Sequence, residues 1–339
     1  MPESESPRRR PVTLATVARH ARVHVSTASR ALSDTPTGVG AETVRRVREL
    51  AAALGYQRDE RAAGLRTGSS RLIGVLVPRL TDLGLATIYD SIDLAAGQAG
   101  YGTVVANTRD DAEHRKIRID AMLSRGIDGI IIGDSHLGDT AAHELQQRGV
   151  PYVLVMRRLE GHPSVTTDDY RGGQLAAEHL LHLGHRRVGV VAGDQLASTG
   201  RDRTLGFRRT FEAAGCPVAD HYVIDSAFNT VDGLRAGAIL LSLPEPPTAI
   251  FAVHDLIALG VMGAIREAGR TLGSDVALVG FNNLDLAATL PVPLTSVSSD
   301  LERMGRLSFD MLMSRIHGDP VESVLLEPSL LARASTLGA

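Results

Sequence analysis

The chain has 339 residues, which exceeds one ordinary domain and predicts two or three domains with sizeable cores. Hydrophobic residues make up 43% and charged residues 22% of the sequence, a globular composition, and no uninterrupted apolar run suggests a membrane span or a signal peptide. Cys216 is the only cysteine, which excludes an intrachain disulfide and a metal site built on thiolates. We therefore expect a cytoplasmic protein with no membrane partner.

Charge is unevenly distributed along the chain, whose formal net charge is −3. Residues 1–70 contain twelve Arg and seven Asp or Glu, a net of +5, so the remaining residues carry −8. A basic segment on an acidic body is expected when only one end of a protein meets phosphates. Residues 1–11, which include Arg8, Arg9 and Arg10, lack a core-forming pattern, and we expect a disordered basic arm there.

Two short helices joined by a tight turn are predicted within residues 12–33. Thr13 is a suitable N-cap for the first helix, because its hydroxyl can accept a bond from an early backbone N–H. Apolar residues follow it at helical spacing, namely Leu14, Val17, Ala18 and Ala21. The first helix is therefore expected to be amphipathic.

The second of these helices is predicted at residues 26–32. Its inward positions are Ala28, Ala31 and Leu32. Its outward positions are short polar or cationic residues, namely Ser26, Thr27, Ser29 and Arg30. Hydroxyls can bond phosphates and a guanidinium can bond a guanine in bidentate fashion, so this face fits the major groove of DNA. A solvated helical hairpin is the alternative.

A third helix is predicted at residues 41–54, after a turn-rich loop. Its buried stripe consists of Val44, Val47, Leu50, Ala51 and Leu54. Residues 12–56 are thus interpreted as a small all-α domain with a helix-turn-helix. Residues 57–70 are too polar to fold alone, and we interpret them as a linker.

From residue 71 onward, short β-branched runs alternate with amphipathic stretches, the pattern of parallel sheets built from βα units. The predicted strands are 72–78, 103–107, 129–132, 152–156, 187–192, 222–224, 249–253 and 276–280. The predicted helices are 88–99, 111–125, 170–183, 201–214, 231–243 and 255–268. The series divides near Asp168 into two lobes, and a ligand cleft is expected between them, at the carboxyl ends of the strands.

The helix-turn-helix stretch resembles a known family. Residues 12–32 read V-T-L-x-x-V-A-x-x-A-x-V-x-x-S-T-x-S-R-x-L, which is similar to the head of the lactose-repressor (LacI/GalR) family of bacterial transcription regulators. Further markers of that family recur in order along the core, including Leu183-Gly184-His185-Arg186, Val279-Gly280-Phe281 and Leu294-Thr295. Arg22 departs from the pattern, because the family mostly has Gly in this turn. A side chain costs about 1–2 kcal/mol if the residue is left-handed.

The resemblance implies a fold of two parts. A small all-α helix-turn-helix head precedes an α/β two-lobed core like that of periplasmic binding proteins, with two doubly wound parallel sheets. The N-lobe would comprise residues 71–168 and 300–326, and the C-lobe residues 169–299 and 327–339. Residues 57–70 would be a hinge that becomes helical on DNA, although Gly64 weakens that tendency by about 1 kcal/mol.

The resemblance also implies which residues contact operator DNA. Val25 and Ser26 would begin the recognition helix and read bases, with Arg30 next, while Thr27 and Ser29 would hold phosphates. Leu65 would wedge into the minor groove at the operator centre. A symmetric homodimer on a near-palindromic operator follows, placed on the nucleoid and acting as a repressor.

An effector site between the lobes is implied as well. Arg203 and Phe228 match the family's contacts, whereas Met156 replaces a usual Asp, His254 a usual Asn, and Asn282 a usual Asp. Fewer acids leave Arg203 with fewer compensating charges, so our hypothesis is a sugar-like effector that is less hydroxylated, or anionic. No cofactor is expected.

The sequence also allows other functions. His179, His182 and His185 could suggest a metal site, but no carboxylate or cysteine arrangement completes it. An enzyme would need a catalytic or cofactor constellation, and none is visible, so we expect no enzymatic activity. A solute-binding protein would share the core but would need an export signal and no basic head. Within the regulator class, the effector could be another protein, or the response to ligands could be lost.

Overall fold

The structure is a computed structural model that describes residues 12–33, 36–56 and 69–337. It divides into two compact units, Met1–Ser70 and Arg71–Ala339. The predicted basic arm at residues 1–11 and the predicted wedge residue Leu65 lie outside the described residues, as does most of the predicted hinge.

The first unit contains the three helices that the sequence predicts: α1 (Leu14–His20), α2 (Val25–Ala31) and α3 (Ala41–Leu54). The Thr13 hydroxyl accepts a hydrogen bond from the backbone N–H of Thr16, as expected of an N-cap. The apolar sides of the helices form one small core, in which Val17, Ala28 and Val47 are fully buried. The helix-turn-helix arrangement is therefore confirmed.

The turn between α1 and α2 contains a left-handed residue. Arg22 has a φ of 54°, so the conformational cost considered from the sequence does apply here. The next helix begins at Val25, one residue earlier than predicted, because the ring nitrogen Nδ1 of His24 accepts a bond from the backbone N–H of Ser26 and caps it. His24 thus serves as the N-cap of α2.

The second unit is built on two six-stranded sheets. The first sheet has strands in the order β11-β5-β4-β3-β1-β2, all parallel. These strands are β1 (Leu72–Val77), β2 (Gly102–Asn107), β3 (Gly129–Ile132), β4 (Tyr152–Val155), β5 (Ser164–Thr167) and β11 (Val324–Leu326). Helices cover both faces: α4 (Leu83–Gln98), α5 (Ala112–Leu123), α6 (Ala141–Gln147) and α12 (Leu301–His317). We call this part the N-lobe.

The second sheet, with its helices, forms the C-lobe. Its strand order is β12-β10-β9-β8-β6-β7, and only the β10–β12 pair among the described strands of this sheet is antiparallel. The strands are β6 (Val188–Val191), β7 (Val223–Ile224), β8 (Ala249–Ala252), β9 (Ala277–Asn282), β10 (Thr295–Ser298) and β12 (Ser329–Leu331). The helices are α7 (Asp169–His182), α8 (Ser198–Ala213), α9 (Thr230–Leu241), α10 (Asp255–Glu267), α11 (Asp285–Thr289) and α13 (Ala334–Leu337).

The chain passes between the lobes three times: before α7, before α12 and between β11 and β12. The two-lobed α/β fold expected from the sequence is confirmed, with the correction that the second sheet is mixed because of its antiparallel edge strand. Four strands (β5, β10, β11, β12) and four helices (α6, α11, α12, α13) of the core were not predicted. In addition, α4 and α8 begin five and three residues earlier than predicted, at Leu83 and Ser198.

Candidate functional site

The helix α2 presents its first residues to the outside of the head. Val25 is 41% exposed, and Ser26 and Arg30 are also exposed. Thr27 and Ser29 are partly buried beside them. The five predicted DNA-contacting residues of the head therefore share one short helix, while Ala28 and Ala31 on its other side face the core.

Side chains hold α2 firmly in its place. The Arg48 guanidinium on α3 donates to the carbonyl oxygens of Ala31 (3.2 Å) and Ser33 (3.0 Å), which lie at the C-terminal end of α2. These carbonyls would otherwise lack a partner within the helix, and a cation at this end also favours the helix dipole. The guanidinium of Arg30 folds back so that its Nε donates to the carbonyl of Ser26 at 3.3 Å.

The head is basic in its described part. Residues 12–33 and 36–56 contain six Arg and two Glu, which gives a net charge of +4 when His is neutral. This local charge agrees with the distribution along the sequence and suits contact with phosphates.

A cavity of about 380 Å³ lies between the two lobes, where strand ends from both sheets meet. Both lobes supply its walls. The N-lobe contributes Pro78, Arg79, Thr81, Asp82, Leu85, Asp110, Met156 and Arg157. The C-lobe contributes Asp194, Thr199, Arg203, Ala227, Phe228, Asn229, Thr230, His254 and Leu256. This is the position that doubly wound sheets give to ligands.

Arg203 lies in the cavity wall but is almost completely buried. Its Nε donates to the Asp169 carboxylate at 2.7 Å, its Nη1 donates to the carbonyl of Val253 at 2.8 Å, and its guanidinium lies 3.7 Å from the ring centroid of Phe281. Arg203 therefore has a counter-charge, Asp169, that the expectation of fewer compensating charges did not include. The sequence argument counted only the family positions and overlooked Asp169, the first residue of α7.

A second buried arginine is also paired. Arg157 makes a bidentate contact with Asp110, with nitrogen-to-oxygen distances of 2.6 and 3.0 Å. Burial alone would raise the pKa of the Asp110 carboxyl, but the neighbouring His136 and Arg157 lower it well below its usual range. Both buried arginines of the cavity are thus paired with an acid before any ligand enters.

Three further predicted effector residues line the cavity. Phe228 is partly exposed to it, and its ring lies edge-on to the imidazole of His254 with centroids 5.8 Å apart. The Nδ1 of His254 accepts the backbone N–H of Leu256 and caps α10, so its other nitrogen, Nε2, is the N–H donor of the neutral ring. Met156 follows β4 with a φ of 65°.

Asn282 is the exception among the predicted effector residues. It is buried at the end of β9 with a φ of 97°, and its side-chain oxygen Oδ1 accepts a bond from the Ser299 hydroxyl at 3.1 Å. Asn282 is not one of the residues that line the cavity. The Asn282 side chain is therefore not placed to contact an effector in this cavity.

The sequence reasoning missed the acids of the cavity. Asp110 follows β2, Asp194 follows β6, and Asp82 caps α4 after β1. All three come shortly after the carboxyl ends of parallel strands, and that rule alone would have identified them as candidates. The comparison with the family pattern did not include them.

Two of the three histidines of the E-H-L-L-H-L-G-H segment have structural partners. His179 Nε2 lies 2.8 Å from the Thr336 hydroxyl, and His185 Nδ1 lies 2.9 Å from the Thr248 hydroxyl. Within residues 12–33, 36–56 and 69–337, no group of three or more His, Cys, Asp or Glu is arranged to hold a metal ion. A separate search of the same residues finds no helix long and apolar enough to cross a membrane.

Comparisons with known proteins find relatives for both parts of the chain. Residues 13–59 match the model of bacterial regulatory proteins of the lacI family, and residues 177–336 match the periplasmic binding protein-like domain. The structure of the transcriptional regulator CelR in complex with cellobiose is 30% identical, covers 96% of this chain and 100% of that one, and superposes with a TM-score of 0.73. The chain belongs to the LacI family. The family assignment made from the sequence is confirmed.

Other LacI-family members are similar over nearly the whole length. The transcriptional repressor CytR of Escherichia coli (strain K12) is 29% identical over 329 residues, which is 96% of each chain. The lac repressor dimer bound to operator and the anti-inducer ONPF is 28% identical with a TM-score of 0.89, covering 97% of this chain and 100% of that one. The chain is thus a helix-turn-helix DNA-binding regulator of this family with an effector-binding domain.

Proposed function

We propose that this LacI-family regulator is a repressor that binds a near-palindromic operator as a homodimer. The observation that carries the proposal is the exposed start of α2 on a basic head, with Arg48 fixing the helix from behind. Two-fold symmetry would place two such helices in successive major grooves. The lac repressor, which is a dimer on its operator in the related structure, supports the same arrangement here.

Within the head, we assign roles by position on α2. Val25 and Ser26 stand at its N-terminal end, where a recognition helix meets base edges, and Arg30 can reach a guanine once it leaves the carbonyl of Ser26. Thr27 and Ser29 would bond phosphates. Leu65, in the hinge proposed for residues 57–70, would insert at the operator centre.

The core would bind a small effector in the interlobe cavity, and we propose that this effector is neutral. The two buried arginines of the cavity, Arg203 and Arg157, already bind Asp169 and Asp110, so neither offers an anion an uncompensated charge. The third arginine of the wall, Arg79, is exposed to solvent. Phe228 offers an aromatic face, and the cavity acids and His254 offer polar contacts suited to hydroxyl groups. The related CelR in complex with cellobiose supports a carbohydrate-like ligand. Met156 would contact the effector, whereas Asn282 would act by positioning the backbone after β9.

Effector binding would be coupled to operator binding through the lobes. A ligand that contacts both cavity walls favours one relative placement of the lobes over others, and the N-lobe is joined directly to the proposed hinge. The coupling is a difference in free energy between two states. Its size is typically about 1–3 kcal/mol in such systems.

The proposal is tested by selecting duplexes from genomic fragments with the wild-type protein and with the variants Arg30→Ala and Leu65→Ala. We expect a palindromic site, a loss of base preference at one position per half-site for Arg30→Ala, and a general loss of affinity for Leu65→Ala. Arg46→Ala is a matched control, because Arg46 is an exposed arginine of α3, outside the recognition helix. It should leave the selected sequence unchanged.

The selected duplex then serves to test the effector. Panels of neutral sugars, nucleosides and carboxylic acids are added to the complex, and DNA affinity is measured by fluorescence anisotropy. A neutral compound that changes the affinity supports the proposal, whereas a response limited to carboxylic acids contradicts a neutral effector. Selection without any sequence enrichment at moderate salt would contradict operator recognition itself.

A further inference from the structure

Two loops from different lobes meet beside the cavity. One follows β3 in the N-lobe and contains His136, and the other follows β6 in the C-lobe and contains Asp194. The backbone N–H of Leu137 donates to the carbonyl of Leu196 at 2.7 Å, which joins the loops directly. The Nε2 atom of His136 lies 3.2 Å from the Asp110 carboxylate and 3.3 Å from that of Asp194. One imidazole nitrogen therefore lies between an N-lobe acid and a C-lobe acid.

The charges around His136 are unevenly paired. Asp110 is held by Arg157, and two acids of the His136 loop, Asp134 and Asp139, both bind Arg115. Among the described residues, His136 is the one basic side chain within 4.0 Å of the Asp194 carboxylate. The attraction across the lobes at this point thus depends on whether the imidazole is charged.

A histidine in this position can change the attraction near neutral pH. Imidazoles in proteins commonly gain or lose their charge between about pH 5 and 8. The charged ring attracts both carboxylates, whereas the neutral ring offers at most one N–H to two acceptors that repel each other. His136, Asp110 and Asp194 are all partly buried, so solvent screens this interaction incompletely.

A second histidine joins the lobes without this property. His254 Nε2 lies 3.4 Å from the carboxylate of Asp82, across the cavity. Its Nδ1 already accepts the backbone N–H of Leu256, and a proton on that atom would break the cap of α10. His254 is therefore a donor in its neutral form, and we assign no proton-dependent role to it.

We propose that His136 is a proton-operated clamp between the two lobes of the core. With its proton bound, the imidazole draws Asp194 of the C-lobe toward Asp110 of the N-lobe and favours the approach of the lobes that is seen here. When the proton is lost, the acids repel and the lobes separate more readily. Because Asp110 and Asp194 also line the cavity, effector binding would be coupled to proton uptake. This coupling rests on the effector site proposed above, but the clamp itself does not.

The test measures the distance between the lobes in the full-length protein without DNA or effector. In a Cys216→Ser background, cysteines replace Ile117 on α5 and Val231 on α9, which are 54% and 75% exposed. The two are labelled with a donor and an acceptor dye, and excess unlabelled protein is added so that energy transfer occurs within one chain. Transfer efficiency is then recorded between pH 5.5 and pH 8.5.

We expect the transfer efficiency to fall as the pH rises, because the distance between the dyes increases. It should recover when the pH is lowered again. His136→Gln and Asp194→Asn should each remove this pH response. His221→Gln is the matched control, since His221 is an exposed histidine of the C-lobe far along the chain from the clamp, and it should keep the wild-type response.

A wild-type distance that does not respond to pH would overturn the clamp, and so would a response that persists in His136→Gln. Circular dichroism of each variant confirms that it is folded before its distance is compared. The measurement needs neither operator nor effector. A failed operator selection therefore leaves it intact, and its own failure leaves the proposed repressor function untouched.

Discussion

At the scale of single residues, the pairing of Arg203 with Asp169 decides the charge of the cavity. Both groups are buried, and their contact distance is 2.7 Å. Removing one partner of such a pair leaves an uncompensated charge in a poorly hydrated place, whereas removing both leaves none. The effects of the two single substitutions on the free energy of unfolding should therefore not add, as they would for two independent contacts.

We predict that Asp169→Asn destabilises the core by about 3–5 kcal/mol, because Arg203 loses its counter-charge. The double variant Asp169→Asn/Arg203→Met should be clearly less destabilised than the sum of the two single variants. Urea unfolding followed by circular dichroism gives the three free energies of unfolding. Additive effects would mean that the two side chains are not coupled, and would reopen the possibility of an anionic effector.

Arg22 shows that a departure from a family pattern can be interpreted physically. The sequence has a large side chain where the family mostly has Gly, and the structure keeps the left-handed turn, with a φ of 54°. The three-helix core on either side, with Val17 and Ala28 fully buried, holds the turn in place. Packing of the helices thus outweighs a local cost of about 1–2 kcal/mol.

At the scale of helices and strands, glycines allow unusually close helix pairs in the C-lobe. A Cβ atom added at Gly173 of α7 would lie 2.1 Å from the carbonyl oxygen of Arg203 on α8, and one at Gly206 of α8 would lie 2.1 Å from that of Tyr170. Gly173 thus serves the contact with α8 at Arg203, whereas a Cβ atom added at the neighbouring Gly172 would lie 2.5 Å from the ring of Phe281.

We predict that Gly173→Ala lowers the melting temperature of the core by several degrees, since the backbone of α8 must move to admit the methyl group. The free-energy cost should be about 3 kcal/mol, near the upper end for overpacking. Gly97→Ala is the control, because Gly97 in α4 has open space around it and Ala favours helix by about 0.5–1 kcal/mol. Differential scanning calorimetry gives the melting temperatures of both variants. Equal melting temperatures for Gly173→Ala and Gly97→Ala would contradict the close packing of α7 on α8.

The alternation of strands and helices could be predicted because most strands are buried runs of Val, Ile and Leu. Residues 129–132 and the α3 bounds agree with the structure. The missed strands β5 and β10 consist mainly of Ser and Thr, whose burial is made possible by partners such as Ser323 and Ser335 from distant parts of the chain. No local pattern in the sequence contains that information.

The candidate site was predictable to a similar extent. Arg203, Phe228, Met156 and His254 are in the cavity wall as the resemblance implied. The pairing that neutralises Arg203 was not foreseen, because Asp169 and Arg203 are 34 residues apart and meet only through the packing of α7 on α8. Contacts between elements, and not the residues themselves, were the missing information.

At the scale of the whole molecule, buried carboxylates make stability depend on pH in opposite directions. Burial would raise the pKa values of Asp82 and Asp110, but their partners lower both, so the stability that they contribute is present near neutral pH and is lost on acidification. Asp255 behaves differently. Its burial raises the pKa to about 6, although it accepts bonds from the Ser296 hydroxyl and the Leu284 N–H, each at 2.7 Å.

We predict that Asp255 destabilises the folded protein as the pH rises from about 4 to about 7. Its folded-state pKa lies above the unfolded value of 3.8, so the folded state holds the extra proton within this range. The stability gained from that proton is fully present below the unfolded pKa and is lost as the pH passes through about 6, by an amount on the order of 3 kcal/mol. Asp255→Asn keeps a neutral group at this position and should remove this dependence of stability on pH.

The measurement compares the free energies of unfolding of wild type and Asp255→Asn between pH 4 and pH 7.5. The wild type should be the more stable relative to the variant at pH 4, and this advantage should shrink as the pH rises, because only the wild type must ionise a buried group. Asp225→Asn controls for a change of charge at an exposed position of the same lobe. A difference between wild type and Asp255→Asn that is constant with pH would show that the Asp255 carboxyl ionises in the folded protein as readily as in the unfolded chain, and that its hydrogen bonds to Ser296 and Leu284 fully offset its burial.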